Sequence, residues 1–133
     1  MIIGFAVPNE TTTAATVRLE LGMPTDDPIT GIHGDAIAGW TTAVENTKLA
    51  KPITTYDGHV NEVVSEVTWT ATGPGIQPNE HSTFTLLAGL LPSNVNSLTF
   101  KAIQTYSDGS VVSWIEPVVK GTPAPEHPAP ALS

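Results

Sequence analysis

A chain of 133 residues with 40% hydrophobic side chains matches one domain, long enough to bury a core and too apolar to stay disordered. Thirteen acidic against five basic residues give a net charge of −8, which repels nucleic acid and anionic membrane surfaces; no apolar run approaches the ~20 residues needed to span a bilayer. No cysteine is present, which excludes disulfides, thiolate metal sites and cysteine nucleophiles, so any bound metal must take nitrogen and oxygen ligands.

Only 14% of the residues are charged and threonine is abundant, as on a β-rich surface; twelve prolines and eleven glycines imply many turns. The class reading is all-β. Residues 2–7 form a short apolar strand closed by Pro8-Asn9. Residues 13–21 alternate, with Ala15, Val17, Leu19 and Leu21 on one face and Thr16, Arg18 and Glu20 on the other, which predicts a half-buried strand. A loop follows through Asp26-Asp27, and residues 29–37 are ambiguous because Gly31 and Gly34 interrupt them. Residues 40–44 read as a strand, and Asp57-Gly58 signals a hairpin. Residues 63–71 follow as a strand with Val67 and Trp69 on its core face, then a turn-rich connection from Gly73 to Asn79. Strands at 82–87 and 98–106 lead to a third at 110–119, the last two joined through Asp108-Gly109, a preferred pair for a tight two-residue turn. About eight short strands between turn signals predict a two-sheet antiparallel β-sandwich over residues 1–120. From 121 to 133 the chain is a Pro-rich tail suited to extended backbone, and its composition leaves open whether it docks on the sandwich.

In the last strand Val112, Trp114 and Glu116 share a face, with the aromatic and the carboxylate roughly 7 Å apart. That spacing suits a cation or metal site, and equally a half-buried Trp beside a solvated strand end. Four segments in order carry a resemblance that bears on the choice: Val7-Pro-Asn-Glu10; Val67-Thr-Trp-Thr-Ala-Thr-Gly73 with Gly75-Ile-Gln-Pro-Asn-Glu80; Gln104-Thr-Tyr-Ser-Asp-Gly109 with Val112-Ser-Trp-Ile-Glu-Pro117; and Pro125-Glu-His-Pro-Ala-Pro130. Together they resemble the YcnI-like family of bacterial extracytoplasmic copper-binding proteins, from about residue 5 to residue 132. The resemblance implies an immunoglobulin- or cupredoxin-like sandwich outside the cytoplasm, secreted or held at the cell envelope. In that family Cu(II) is gripped by the α-amine and imidazole of an amino-terminal histidine, helped by a carboxylate, with a tryptophan close by. Trp114 matches that tryptophan, Glu80 matches a carboxylate position, and Glu116 is the carboxylate next to Trp114 in sequence. Relatives carry the histidine and one more strand upstream of the segment matching Phe5 to Glu10, so the expectation is a chain trimmed of its main copper ligand.

The four histidines, His33, His59, His81 and His127, show no His-x-His or His-x₃-His spacing; His81, beside Glu80, is the candidate substitute ligand among them. No Gly-x-Ser-x-Gly elbow or phosphate-binding glycine loop is present, and Asp26-Asp27 lacks the wider pattern of a calcium loop, so no enzyme is expected. Asn9-Glu-Thr11 is a formal glycosylation sequon. The sequence reading is therefore a Cu(II)-binding module in copper capture or delivery to a membrane copper transporter. Its alternative is a metal-free adhesion or interaction sandwich of the cell surface.

Overall fold

The computed structural model describes residues 2–24, 29–55, 58–89, 98–115 and 130–132. Among the described residues all regular structure is β. A five-stranded antiparallel sheet has the order β4-β5-β2-β8-β9, from β4 (Trp40–Thr55), β5 (Gly58–Ala71), β2 (Thr16–Gly22), β8 (Lys101–Tyr106) and β9 (Val111–Trp114). Facing it is a three-stranded sheet, β1-β6-β3, from β1 (Ile2–Pro8), β6 (His81–Leu87) and the short β3 (His33–Gly34). A two-residue ladder joins β7 (Leu98–Thr99), which leads into β8, to β10 (Ala131–Leu132) at the end of the tail. Phe100 N–H adds a bond to Pro130 O at 2.7 Å. Glu116, His127, Asp26 and Asp27 lie outside the described residues.

The core forms where the alternating inward residues of the two sheets meet. Leu19, Leu21, Val67 and Trp69 from the larger sheet pack against Ile3, Phe84 and Leu86 from the smaller one. Phe84 is fully buried between two indoles, with ring centroids 5.1 Å from Trp40 and 5.3 Å from Trp69. Burying such rings contributes ~2–3 kcal/mol each. Trp69 also donates its indole N–H to Asp35 O at 3.1 Å, which satisfies its one polar atom.

Three local features differ from the sequence reading. The expected alternation of the second strand fails at its start, because a bulge between Thr16 and Arg18 shifts the register against β8. An inserted residue reverses which side faces in, and Thr16 is fully buried while Arg18 is exposed. The β8–β9 connection is a three-residue loop, 107–109. Gly109 N–H bonds Tyr106 O and Tyr106 N–H bonds Ser110 O. Gly109 takes a φ of +88° and Asp108 does not share a positive φ, so the Asp-Gly pair serves a turn plus bulge and not the mirror-image two-residue turn. Finally, β4 and β5 run far beyond 40–44 and 63–71, as a ribbon paired out to Thr55 and Gly58. Polar Asn46 and Thr47 and the bulged stretch between Lys48 and Ile53 hide this ribbon from a periodicity reading.

Candidate functional site

The sheets are unequal. Leu19 and Leu21 of β2 and Ala102 of β8 lie under β1, and β9 extends the larger sheet by one more strand. In its own sheet β1 bonds β6 on one side and, among the described residues, is the edge on the other. The result is a groove of about 450 Å³ along β1, floored by these three side chains and walled by Phe5, Phe100 and Trp114. Ala102 is the direct cross-strand neighbour of Trp114, and its small side chain leaves the indole room beside the floor. Trp114 is half-buried in this wall. Among the described residues, the one charged side chain lining the groove is that of Glu10, just past the end of β1.

Beneath Trp114 lies a buried polar centre. Gln104 is fully buried on the inward face of β8, accepts the Trp114 indole N–H at 3.1 Å, and donates to Pro8 O at 3.0 Å and to Thr16 Oγ1 at 2.8 Å. These partners fix the amide's orientation, because an indole N–H only donates and a carbonyl only accepts.

A second buried amide shapes the turn that carries Glu10. Asn9 donates its two side-chain hydrogens to Ala14 O and Ile76 O at 2.7 and 2.8 Å, and its Oδ1 accepts from the backbone and hydroxyl of Thr11. The formal sequon is thus a turn device whose amide nitrogen is buried and engaged. Asn9 N–H also bonds Glu80 O at 2.9 Å, so the turns holding Glu10 and Glu80 are joined.

Glu80 itself is exposed, and its Oε1 accepts the Gln77 backbone N–H at 3.1 Å within its own turn. Asn79, at φ +68°, supplies the left-handed residue that closes that turn. Neither Glu80 nor His81 lines the groove, and both face solvent. His33 is exposed on β3; the position of the His59 side chain is not among the described features. Among the described residues, no three His, Asp or Glu side chains converge closely enough to hold a metal ion.

The structure therefore places Trp114 in a shaped groove and Glu80 on an adjoining turn. Sequence reasoning passed over two residues of this site: Glu10, which lines the same groove, and Gln104, which bonds the Trp114 indole. A signal for Gln104 was present: in 101–106 the inward positions read Ala, Gln, Tyr, and a polar amide in an inward series implies buried hydrogen bonds.

The model of one protein family, described as a Domain of unknown function (DUF1775), matches residues 1–133. The chain belongs to the DUF1775 family. No functionally curated protein matches it. Among solved structures, the DUF1775 chain is similar to an uncharacterized protein from Nocardia farcinica whose crystal structure reveals an immunoglobulin-like fold. The two share 34% sequence identity at a TM-score of 0.78, over 99% of this chain and 86% of that one. This DUF1775 domain is thus an all-β, immunoglobulin-like sandwich, as its strand pattern implied.

Proposed function

We propose that this domain is the scaffold of an extracytoplasmic Cu(II)-binding module that captures copper and holds it or passes it to a membrane transporter. The observation that carries the reading is the half-buried Trp114, which walls an apolar groove whose charged lining residue is Glu10. A chain without cysteine must offer nitrogen and oxygen donors, which Cu(II) accepts in a roughly square arrangement. One or two carboxylates give such an ion a weak hold, so tight binding calls for the amine–imidazole chelate of a leading histidine, as in the YcnI-like proteins the chain resembles.

Among the described residues one side of β1 carries no strand, and that supports the requirement. A strand added antiparallel to it would begin beside Pro8 and Glu10, and its first residue would lie toward Trp114. In this reading the indole packs over the metal and limits other ligands, while Glu10, Glu80 or Glu116 supplies carboxylate oxygen. A Cu(II) titration followed by electron paramagnetic resonance tests it, run on this chain and on a longer one that adds a leading histidine and strand of the kind the YcnI-like relatives carry. Tight nitrogen-rich binding in the longer protein only, weakened by Trp114→Phe and by Glu80→Ala or Glu10→Gln, is the expected result. Absence of binding in both would overturn it. The interaction reading would then stand on Val111 and Ile115, which expose apolar side chains on the outer face of the β9 edge.

A further inference from the structure

We infer that Gln104 is the positioning residue of the groove: one buried amide that fixes the Trp114 indole and ties it to both turns bearing candidate carboxylates. The inference rests on the proposal that the groove is the binding site, and names the residue that sets its geometry. Three connections converge on the amide. Its Oε1 holds the indole N–H. One Nε2 hydrogen holds Pro8 O at the end of β1, two residues before Glu10. The other holds Thr16 Oγ1, and the Thr16 backbone exchanges two hydrogen bonds with Ile76, at 2.9 and 3.0 Å, in the connection that leads to Glu80. Rotation of the indole therefore breaks its bond to the amide, and the amide cannot turn to follow it without breaking its own bonds to both other segments.

Packing alone does not call for this arrangement. A Leu beneath a Phe would fill a comparable volume with fewer buried polar atoms to satisfy. What the amide adds is direction, since a hydrogen bond fixes a ring that dispersion contacts would let slide. The bulge at Thr16 belongs to the same device, because it turns the hydroxyl inward where regular pairing would have faced it to solvent.

The test follows the indole N–H signals of the ¹⁵N-labelled protein, with Trp114 assigned through Trp114→Phe. Trp69, bonded to Asp35 O, is the internal control for folding. In Gln104→Met the Trp114 N–H should shift and exchange with solvent at least about tenfold faster, while Trp69 stays unchanged. If Gln104→Met fails to fold, Thr16→Val removes one bond from the amide and should move the Trp114 signal in the same sense. Unchanged Trp114 exchange in a folded variant would overturn the inference.

A second arm measures Cu(II) affinity in the longer protein with the leading histidine and strand. Gln104→Met should weaken it as much as Trp114→Phe does, and the double variant should lose no more than either single one. Fully additive losses, or undiminished affinity despite a loosened indole, would overturn the role of Gln104. If the indole responds but no version binds copper, the copper proposal falls, and Gln104 stands as the residue that orients the wall of the groove.

Discussion

Gly75 lies against the carbonyl of Thr16 so closely that a Cβ built on it would sit 2.2 Å from that oxygen. Its φ of +76° is one that only glycine adopts without strain. Both features arise because Thr16 and Ile76 pair across an isolated bridge, which seats the connection on the bulged start of β2. Gly75→Ala should therefore cost about 2 kcal/mol or more, from the left-handed backbone and the clash together. Gly73→Ala is the control, since a Cβ there meets nothing within 4 Å and its change should stay within about 0.5 kcal/mol. Urea denaturation midpoints of the two variants check this; equal midpoints would mean that the connection does not rest on Thr16.

Phe84 offers the corresponding test of the core. It is fully buried, and its ring meets Trp40 edge-on at 89° and Trp69 at a tilted 51°. Phe84→Ala removes the ring that packs against both indoles, and should cost about 3–5 kcal/mol. Phe84→Leu keeps most of the volume and should cost clearly less. The loss should appear as a lower unfolding temperature with near-ultraviolet dichroism from the tryptophans reduced. A cost under 1 kcal/mol for Phe84→Ala would show that the sheets are held together elsewhere.

What the sequence made legible follows from period. Leu19, Leu21, Val67 and Trp69 face inward because strand side chains alternate, and that alternation is enough to read an all-β sandwich. Thr16 was assigned to the solvent face because one bulge reverses the alternation, and a bulge leaves no mark in hydrophobicity. The Asp108-Gly109 pair marked its hairpin but not the loop length, since Asp-Gly serves both the two-residue turn and the three-residue turn with a bulge. For the candidate site, Trp114 was legible as an aromatic in an alternating strand. Glu10 was not, because its place depends on Asn9 folding a turn against Ile76, 67 positions along the chain. Pairings over that separation are set by tertiary structure, and local pattern does not report them.

Asn9 is accordingly a strong candidate for a destabilising substitution. Asn9→Ala leaves Ala14 O and Ile76 O without their side-chain donors and removes the acceptor of Thr11. Buried groups stripped of a partner cost about 1–3 kcal/mol each, so a loss of roughly 2–4 kcal/mol is expected. Asn9→Asp should fall in the same range despite its shape, because a carboxylate cannot donate to either carbonyl. Thr11→Val, which spares both of those bonds, should cost less. Equilibrium unfolding of the three variants ranks them, and a harmless Asn9→Asp would show that the donors to Ala14 and Ile76 are dispensable.

The β8–β9 turn carries a pH dependence whose sign can be worked out. The Ser110 hydroxyl donates to Asp108 Oδ1 at 2.6 Å and the Ser110 backbone N–H donates to the same oxygen at 2.9 Å. Both bonds favour the ionised carboxylate, the hydroxyl contributing most, and hold the Asp108 pKa below its ordinary value. A pKa depressed on folding means that the unfolded chain takes up the proton first as pH falls. The stabilisation is therefore complete above about pH 4, the usual range of an unfolded aspartate, and is lost as pH drops through the folded value. Because Asp108 is fully solvated, the effect is a small one, best isolated as a difference between proteins. The wild type should exceed Asp108→Asn in stability at pH 6, and that margin should shrink steadily once the pH passes below about 4. Ser110→Ala should narrow the margin in the same way, since it removes the stronger of the two bonds. Parallel unfolding curves for wild type and Asp108→Asn across the acid range would show that the carboxylate gains nothing from Ser110. The two proteins differ only at this side chain, so the difference between the curves reports the turn.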